Sequence, residues 1–146
     1  MKKLYLKVKR TLRFIFYRNL NINEQLDVSN HIVDDNLLNL YWNMSKADRQ
    51  HSYEVFNRTK KLSEDRDLLL LSLFHDIGKS MIDAGVIFRI FSDLGFISTN
   101  KSKIYLDHEH IGIEILKENN VSQDIIDYYN NNLLKQKNII LDKTDY

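Results

Sequence analysis

The 146-residue sequence contains no cysteine. This absence excludes disulfides, iron–sulfur clusters, thiolate zinc sites and cysteine nucleophiles, so any metal must be held by His, Asp, Glu or water. Proline is also absent, and there are only four glycines. Because strand-rich sandwiches and barrels depend on these two residues at their many turns, their scarcity favours an all-α fold.

Strong net charge and long apolar segments are missing as well. The formal net charge is +1, so the molecule as a whole has no preference for nucleic acid or an acidic surface. Within the first 20 residues the longest apolar run spans only residues 14–17, too short to cross a membrane, and basic residues interrupt any signal-peptide core. We therefore expect one cytoplasmic domain over residues 1–146.

The charge that is present is unevenly distributed, because seven lysines and arginines precede the first acidic residue, Glu24. Residues 3–18 have a helical apolar period, which predicts a basic helix. Its apolar residues are expected to pack on the rest of the protein while the cations face water: Leu4, Val8, Leu12, Ile15 and Phe16. The alternative, which we do not favour, is a membrane-surface or nucleic-acid contact by this helix.

The rest of the sequence predicts further helices and no convincing strand. They are expected over residues 24–33, after a cap at Asp34 or Asp35, from Ser45, from about Ser63, over 81–94, over 107–118, from Ser122 and near Ile139, with a loop over 95–103. Residues 68–74 are apolar on almost every side, which predicts the central buried helix. Gly78 suits the end of this segment, as a residue in the left-handed conformation.

Two ionisable side chains, His75 and Asp76, directly follow this apolar helix. Burying them is unfavourable unless they are paired or bind a metal. His51 lies upstream near the start of a capped helix, and Asp145 lies close to the end of the sequence, with Asp142 as the alternative one turn away. Two imidazoles and two carboxylates form a mixed N/O donor set that suits Mn, Fe, Co, Ni, Zn or Mg.

The order of these residues resembles the HD superfamily of metal-dependent phosphohydrolases, whose pattern is a histidine, a His-Asp pair and a distant aspartate. The resemblance covers about residues 42–146, and it makes residues 1–41 a helical extension packed on an HD-type core. It is carried by Trp42-Asn43-Met44, Ala47-Asp48-Arg49-Gln50-His51, Leu71-Ser72-Leu73-Phe74-His75-Asp76-Ile77-Gly78-Lys79, His108-Glu109-His110-Ile111-Gly112 and Thr144-Asp145.

The resemblance implies a compact multi-helix bundle that binds a divalent metal through His51, His75, Asp76 and Asp145. The substrate would be a nucleotide or another small phosphate ester, with a metal-activated water attacking phosphorus. Asp76, Lys79 and His108 would be catalytic, and Arg49, Lys79 and His110 would contact the substrate: the cations steady the phosphate, and a histidine holds or protonates the leaving group.

One departure from the family pattern bears on the number of metal ions. Dinuclear members carry a further histidine on the helix after the His-x-x-x-Gly segment, and residues 125–132 contain none. We therefore expect one metal ion. The alternative function is a weakly active or inactive HD module that binds metal and nucleotide as a sensor or partner-binding protein. Metal identity, substrate identity and oligomeric state stay open.

Overall fold

A computed structural model of the protein describes residues 16–80 and 107–146, together with Tyr5 and Leu12. The regular structure of these residues is helical and contains no strand, which confirms the all-α prediction. The helices are α1 (Ile22–His31), α2 (Asp35–Asn43), α3 (Lys46–Lys60), α4 (Arg66–Phe74), α5 (Ile77–Ser80), α6 (His108–Glu118), α7 (Gln123–Tyr129), which continues into a π-helical turn (Asn130–Leu134), and α8 (Ile139–Thr144). The helix predicted over 81–94 and the loop predicted over 95–103 lie outside the described residues.

Side-chain caps determine where several of these helices begin. A carboxylate, amide or hydroxyl oxygen accepts a hydrogen bond from a backbone N–H of the first turn; the capping residues are Asn21, Asp34, Ser45, Asp65 and Asn138. The caps at Asp34 and Ser45 confirm the predictions. Helix α4 begins later than Ser63, because the Asp65 carboxylate accepts from the N–H groups of Asp67 and Leu68.

Helix α4 forms the centre of the bundle, as its apolar sequence predicts. Its leucines and its final phenylalanine are buried on nearly all sides: Leu68, Leu69, Leu71, Leu73 and Phe74. The helix packs along α3 and also contacts α1 and α7. Its carboxyl end therefore lies inside the protein, and the two ionisable residues that follow it are buried.

Two glycines allow α5 and α6 to pack at very short range. A Cβ atom on Gly78 would collide with the carbonyl oxygen of His108 and lie 2.8 Å from the backbone nitrogen of Gly112. The prediction that Gly78 ends a helix in the left-handed conformation is wrong, because Gly78 lies within α5 and its φ is not positive. The glycine is required for helix contact, and that contact brings the first turn of α6 next to the end of α4.

The N-terminal part of the described chain differs from the prediction in one respect. Leu12 and Phe16, expected to pack on the bundle, are exposed, so the prediction is wrong for these two side chains. Val28 and Ile32, which belong to α1 and its end, are buried instead. Separately, no helix among the described residues has the length and apolar character needed to cross a membrane.

Candidate metal centre

The four residues predicted as metal ligands converge from three separate parts of the fold. His51 lies on α3, His75 and Asp76 lie between α4 and α5, and Asp145 follows α8. The Nε2 atom of His51 is 3.1 Å from Oδ1 of Asp145 and 3.5 Å from Oδ2 of Asp76. The Nε2 atom of His75 is 3.4 Å and 3.7 Å from the same two oxygens. The two imidazoles thus face the two carboxylates in one buried cluster.

The orientation of His75 is set by the helix that precedes it. Its Nδ1 lies 2.9 Å from the carbonyl oxygen of Ser72, and because a carbonyl can only accept, Nδ1 is the protonated donor. Its Nε2 is buried and makes no hydrogen bond to any described residue. Such an atom is unfavourable in a folded protein unless something satisfies it. A cation between the imidazoles and carboxylates would do so, and ligand atoms of His51, His75 and Asp76 all lie within 4.8 Å of one another. These residues fit a divalent metal ion.

The carboxylates of the cluster are held in the charged form. Burial raises the pKa of Asp76, but Lys79, His75 and His108 outweigh it and hold that pKa well below its ordinary value. Burial also raises the pKa of Asp145, and the neighbouring His75 and His51 outweigh it in the same way. Both aspartates are therefore anionic at neutral pH, as metal ligands must be.

The pKa of His75 responds to the same charges. Burial lowers the pKa of its imidazole, but the attraction of the Asp76 and Asp145 carboxylates is stronger, and the pKa is raised overall. The pocket around Nε2 thus favours positive charge, which either a proton or a metal ion can supply.

Lys79 and His108, which the resemblance makes catalytic, lie on either side of Asp76. The ammonium of Lys79 is 2.8 Å from Oδ2 of Asp76, and Nε2 of His108 is 3.1 Å from Oδ1 of the same carboxylate. His108 reaches this position because of the glycine contact between α5 and α6. The side chains of Lys79 and His108 are 20% and 17% exposed, so both are accessible from solvent beside a buried cluster.

Three other candidate residues lie away from the cluster. His110 is 68% exposed and lies 3.8 Å from an oxygen of Asp107. Arg49 donates to the backbone carbonyl of Trp42 at 3.2 Å and lines a cavity that includes none of the cluster residues. The side chain of Asp142, the alternative to Asp145, is exposed to solvent. Asp145 is therefore the aspartate that joins the histidines.

Sequence reasoning missed the residues that hold Asp145 in place. The ammonium of Lys137 lies 2.8 Å from its Oδ2. From α3, Arg58 donates to the carbonyl oxygens of Thr144 and Tyr146, both at 2.7 Å, and Thr59 makes a hydroxyl hydrogen bond of 2.9 Å to Thr144. Nothing in the local sequence marks these residues, because their partners are distant in the chain or belong to a different helix.

Comparison with known proteins identifies one family. The family model for the HD domain matches residues 49–145, a range that includes all four cluster residues. Neither the curated proteins nor the solved structures gave a match to this chain. Because the matched range covers well over half of the sequence, the chain belongs to the HD domain family.

Proposed function

We propose that this protein is a metal-dependent phosphohydrolase that acts on a small phosphate ester, with nucleotides as the favoured substrate class. The observation that carries the proposal is the convergence of two imidazoles and two carboxylates around the buried Nε2 of His75. Membership of the HD domain family, which is typical of metal-dependent phosphohydrolases, supports the same conclusion.

In this proposal His51, His75, Asp76 and Asp145 hold one divalent ion, drawn from Mn, Fe, Co, Ni, Mg or Zn. When bound, the ion supplies a Lewis acid and an activated water for attack on phosphorus. A single ion is proposed because the described residues offer one group of three His or Asp ligands, and residues 123–134 contain no histidine.

The lysines beside the cluster account for how an anionic substrate could approach two carboxylates. A phosphate group is repelled by Asp76 and Asp145 unless positive charge offsets them. The ammonium of Lys79 lies 2.8 Å from one of these carboxylates, and that of Lys137 lies 2.8 Å from the other. We assign Lys79, the more deeply placed of the two, to contact with a phosphate oxygen.

His108 is the residue we assign to protonate the leaving group. Imidazole is the side chain most often used for proton transfer in enzymes. Its Nε2 lies 3.1 Å from Oδ1 of Asp76, the oxygen that faces away from the histidine pair, and its side chain is accessible from solvent. Asp76 would therefore use one oxygen toward the metal and the other to orient His108.

The test is metal analysis and a hydrolysis assay on the full-length protein purified without chelator. We expect about one metal ion per chain and hydrolysis of at least one substrate in a panel of phosphomonoesters and nucleotides supplied with Mn, Co, Ni or Mg. Asp76→Asn should stay folded and lose both metal and activity. Asp142→Asn is the matched control, because its side chain is an exposed carboxylate on α8, and it should retain both.

Two outcomes would overturn the proposal. If Asp76→Asn hydrolyses substrate as well as the natural sequence does, the cluster does not carry the reaction. If the protein binds metal and a nucleotide raises its Tm, but no substrate is turned over with any metal, the alternative is supported: a metal- and nucleotide-binding module without catalysis.

A further inference from the structure

A cavity borders α3, apart from the residues of the metal centre. It has a volume of about 210 Å³, and its walls come from the segment before α1, from α1, from the end of α2 and from the first turn of α3. The lining residues are Asn19, Leu20, Gln25, Trp42, Lys46 and Arg49. Arg49 and His51 are two residues apart on α3, and residues at this spacing do not share a helix face. The cavity and the metal centre thus use different faces of one helix.

The charge of this cavity is positive. Lys46 and Arg49 are three residues apart on α3, so they are neighbours on the helix surface, and no acidic residue is among those that line the cavity. Within the described ranges, neither cation forms an ion pair. Two acidic residues that directly adjoin lining residues in the sequence have other partners: Glu24, next to Gln25, pairs with Arg18 at 2.6 Å, and Asp48, next to Arg49, accepts from the hydroxyl of Ser45 at 2.7 Å. Two cations therefore line one cavity whose described lining contains no acidic residue.

The walls of the cavity are held by specific contacts. Arg49 donates one hydrogen bond to the carbonyl of Trp42, and its guanidinium carbon lies 5.7 Å from the centre of the indole ring. The hydroxyl of Tyr41 donates to the carbonyl of Arg49 at 3.2 Å. On the other side, the backbone N–H of Arg18 donates to Gln50 at 2.7 Å and ties the N-terminal segment to α3. The Arg49 guanidinium has five N–H donors, so most of them are not used by these contacts.

The size of the cavity limits the ligand. Its volume of about 210 Å³ is smaller than the roughly 300–1,000 Å³ of pockets that hold drug-sized ligands. A planar guanidinium next to an ammonium suits a phosphate group, which the guanidinium binds through two parallel hydrogen bonds and the ammonium as a point charge. We propose that this cavity is a phosphate-binding site for a small ligand, separate from the metal centre.

This proposal does not depend on hydrolysis, so binding alone can test it. Trp42 is the only tryptophan in the sequence and lines the cavity, so its fluorescence reports on occupancy. Metal-free full-length protein is titrated with inorganic phosphate at constant ionic strength, with chloride replaced as phosphate is added. We expect a saturable fluorescence change. Glycerol 3-phosphate is titrated in parallel, and a Kd at least fivefold lower than that of inorganic phosphate would identify an organic ester as the ligand class.

Four variants locate the site. Lys46→Gln and Arg49→Gln should each raise the Kd for inorganic phosphate at least fivefold, and Arg49→Lys should lie between Arg49→Gln and the natural sequence because it keeps the charge without the two-pronged geometry. Lys61→Gln, which removes an exposed lysine just past the other end of α3, is the matched control and should change the Kd less than twofold. Far-ultraviolet circular dichroism verifies that each variant is folded.

Three results would overturn the proposal. The first is the absence of any saturable change with phosphate. The second is an equal loss of affinity in Lys61→Gln, which would indicate attraction by net charge alone. The third is loss of binding in Asp76→Asn with Arg49→Gln unaffected, which would place the phosphate at the metal centre. Failure of the hydrolysis assay leaves this site unaffected, so the two proposals fail independently.

Discussion

His51 and Asp145 are 94 positions apart in the sequence, and their side chains meet at 3.1 Å between Nε2 and Oδ1. The contact depends on two residues about two helical turns further along the same helix as His51. Arg58 and Thr59 bind the backbone and the hydroxyl of the segment that carries Asp145. Helix α3 therefore supplies one candidate ligand directly and positions another.

Replacing Arg58 tests whether this second role matters. In Arg58→Gln the carbonyl oxygens of Thr144 and Tyr146 lose their donors, so Asp145 is less well held. Partners that orient metal ligands generally contribute about 10–100-fold to metal affinity, and we expect the Kd for Mn²⁺ or Co²⁺ to rise about tenfold, measured by titration calorimetry. Arg66→Gln, at an exposed position on α4, is the control. An unchanged Kd in Arg58→Gln would show that the segment does not need this contact.

The glycine contact between α5 and α6 leads to a second prediction. In Gly112→Ala the new Cβ would collide with the hydroxyl of Tyr129, whereas in Gly78→Ala it would collide with a backbone carbonyl. Overpacking generally costs about 1–3 kcal/mol, and each variant should have a lower Tm. Because Tyr129→Phe removes the obstructing oxygen, it should recover part of the Tm lost in Gly112→Ala and none of that lost in Gly78→Ala. Thermal unfolding followed by circular dichroism measures both, and equal recovery in the two backgrounds would contradict the geometry.

A third prediction concerns the acid range and the pair formed by Asp27 and Lys60. Burial raises the pKa of Asp27, but hydrogen bonds from Lys60 at 2.9 Å and Tyr53 at 3.0 Å outweigh it, so the pKa is lowered. A carboxyl group with a lowered pKa stabilises the fold above its unfolded pKa, about 4, and this contribution is lost as the pH falls through the lower, folded pKa.

Urea unfolding of the natural sequence and of Asp27→Asn between pH 3 and 7 measures this effect. The difference in free energy of unfolding should be constant above about pH 5 and should shrink below about pH 4, because the unfolded carboxyl takes up a proton at a pH at which the folded carboxylate is still charged. A difference that does not vary with pH would mean that Asp27 contributes no more as an anion than as a neutral group.

The two histidines at the start of α6 provide a fourth prediction, which depends on the proposed hydrolysis. His108 lies beside Asp76 and His110 faces solvent. His108→Asn should lower kcat by roughly 10²–10⁴-fold, the usual range for a residue that transfers a proton. His110→Asn should change kcat less than twofold. If His110→Asn lowers kcat more than His108→Asn does, with the same substrate and metal, then His110 and not His108 is the proton donor.

Predictions from the sequence succeeded where a feature depends on residues close together in the chain and failed where it depends on a contact between distant residues. The caps at Asp34 and Ser45 and the buried helix through residues 68–74 depend on neighbours within a few positions, and the structure confirms them. The conformation of Gly78 was predicted wrongly, because a glycine before a polar residue is equally typical of a helix end and of a close helix contact. Only the distance to His108 and Gly112 separates the two.

The amino-acid sequence determined the all-α class, the central apolar helix and the set of histidines and aspartates available to a metal, because these depend on residue type and on short periodic patterns. The tertiary structure decided which of them meet. In the folded protein His108 lies beside Asp76, whereas His110 is exposed to solvent. Arg49 lines a cavity that is separate from the metal centre. Arg58 binds the backbone of Thr144 next to Asp145, and Lys137 binds the Asp145 carboxylate itself. The physical reason is that a contact between distant segments depends on the direction of each side chain after packing, which no local pattern encodes.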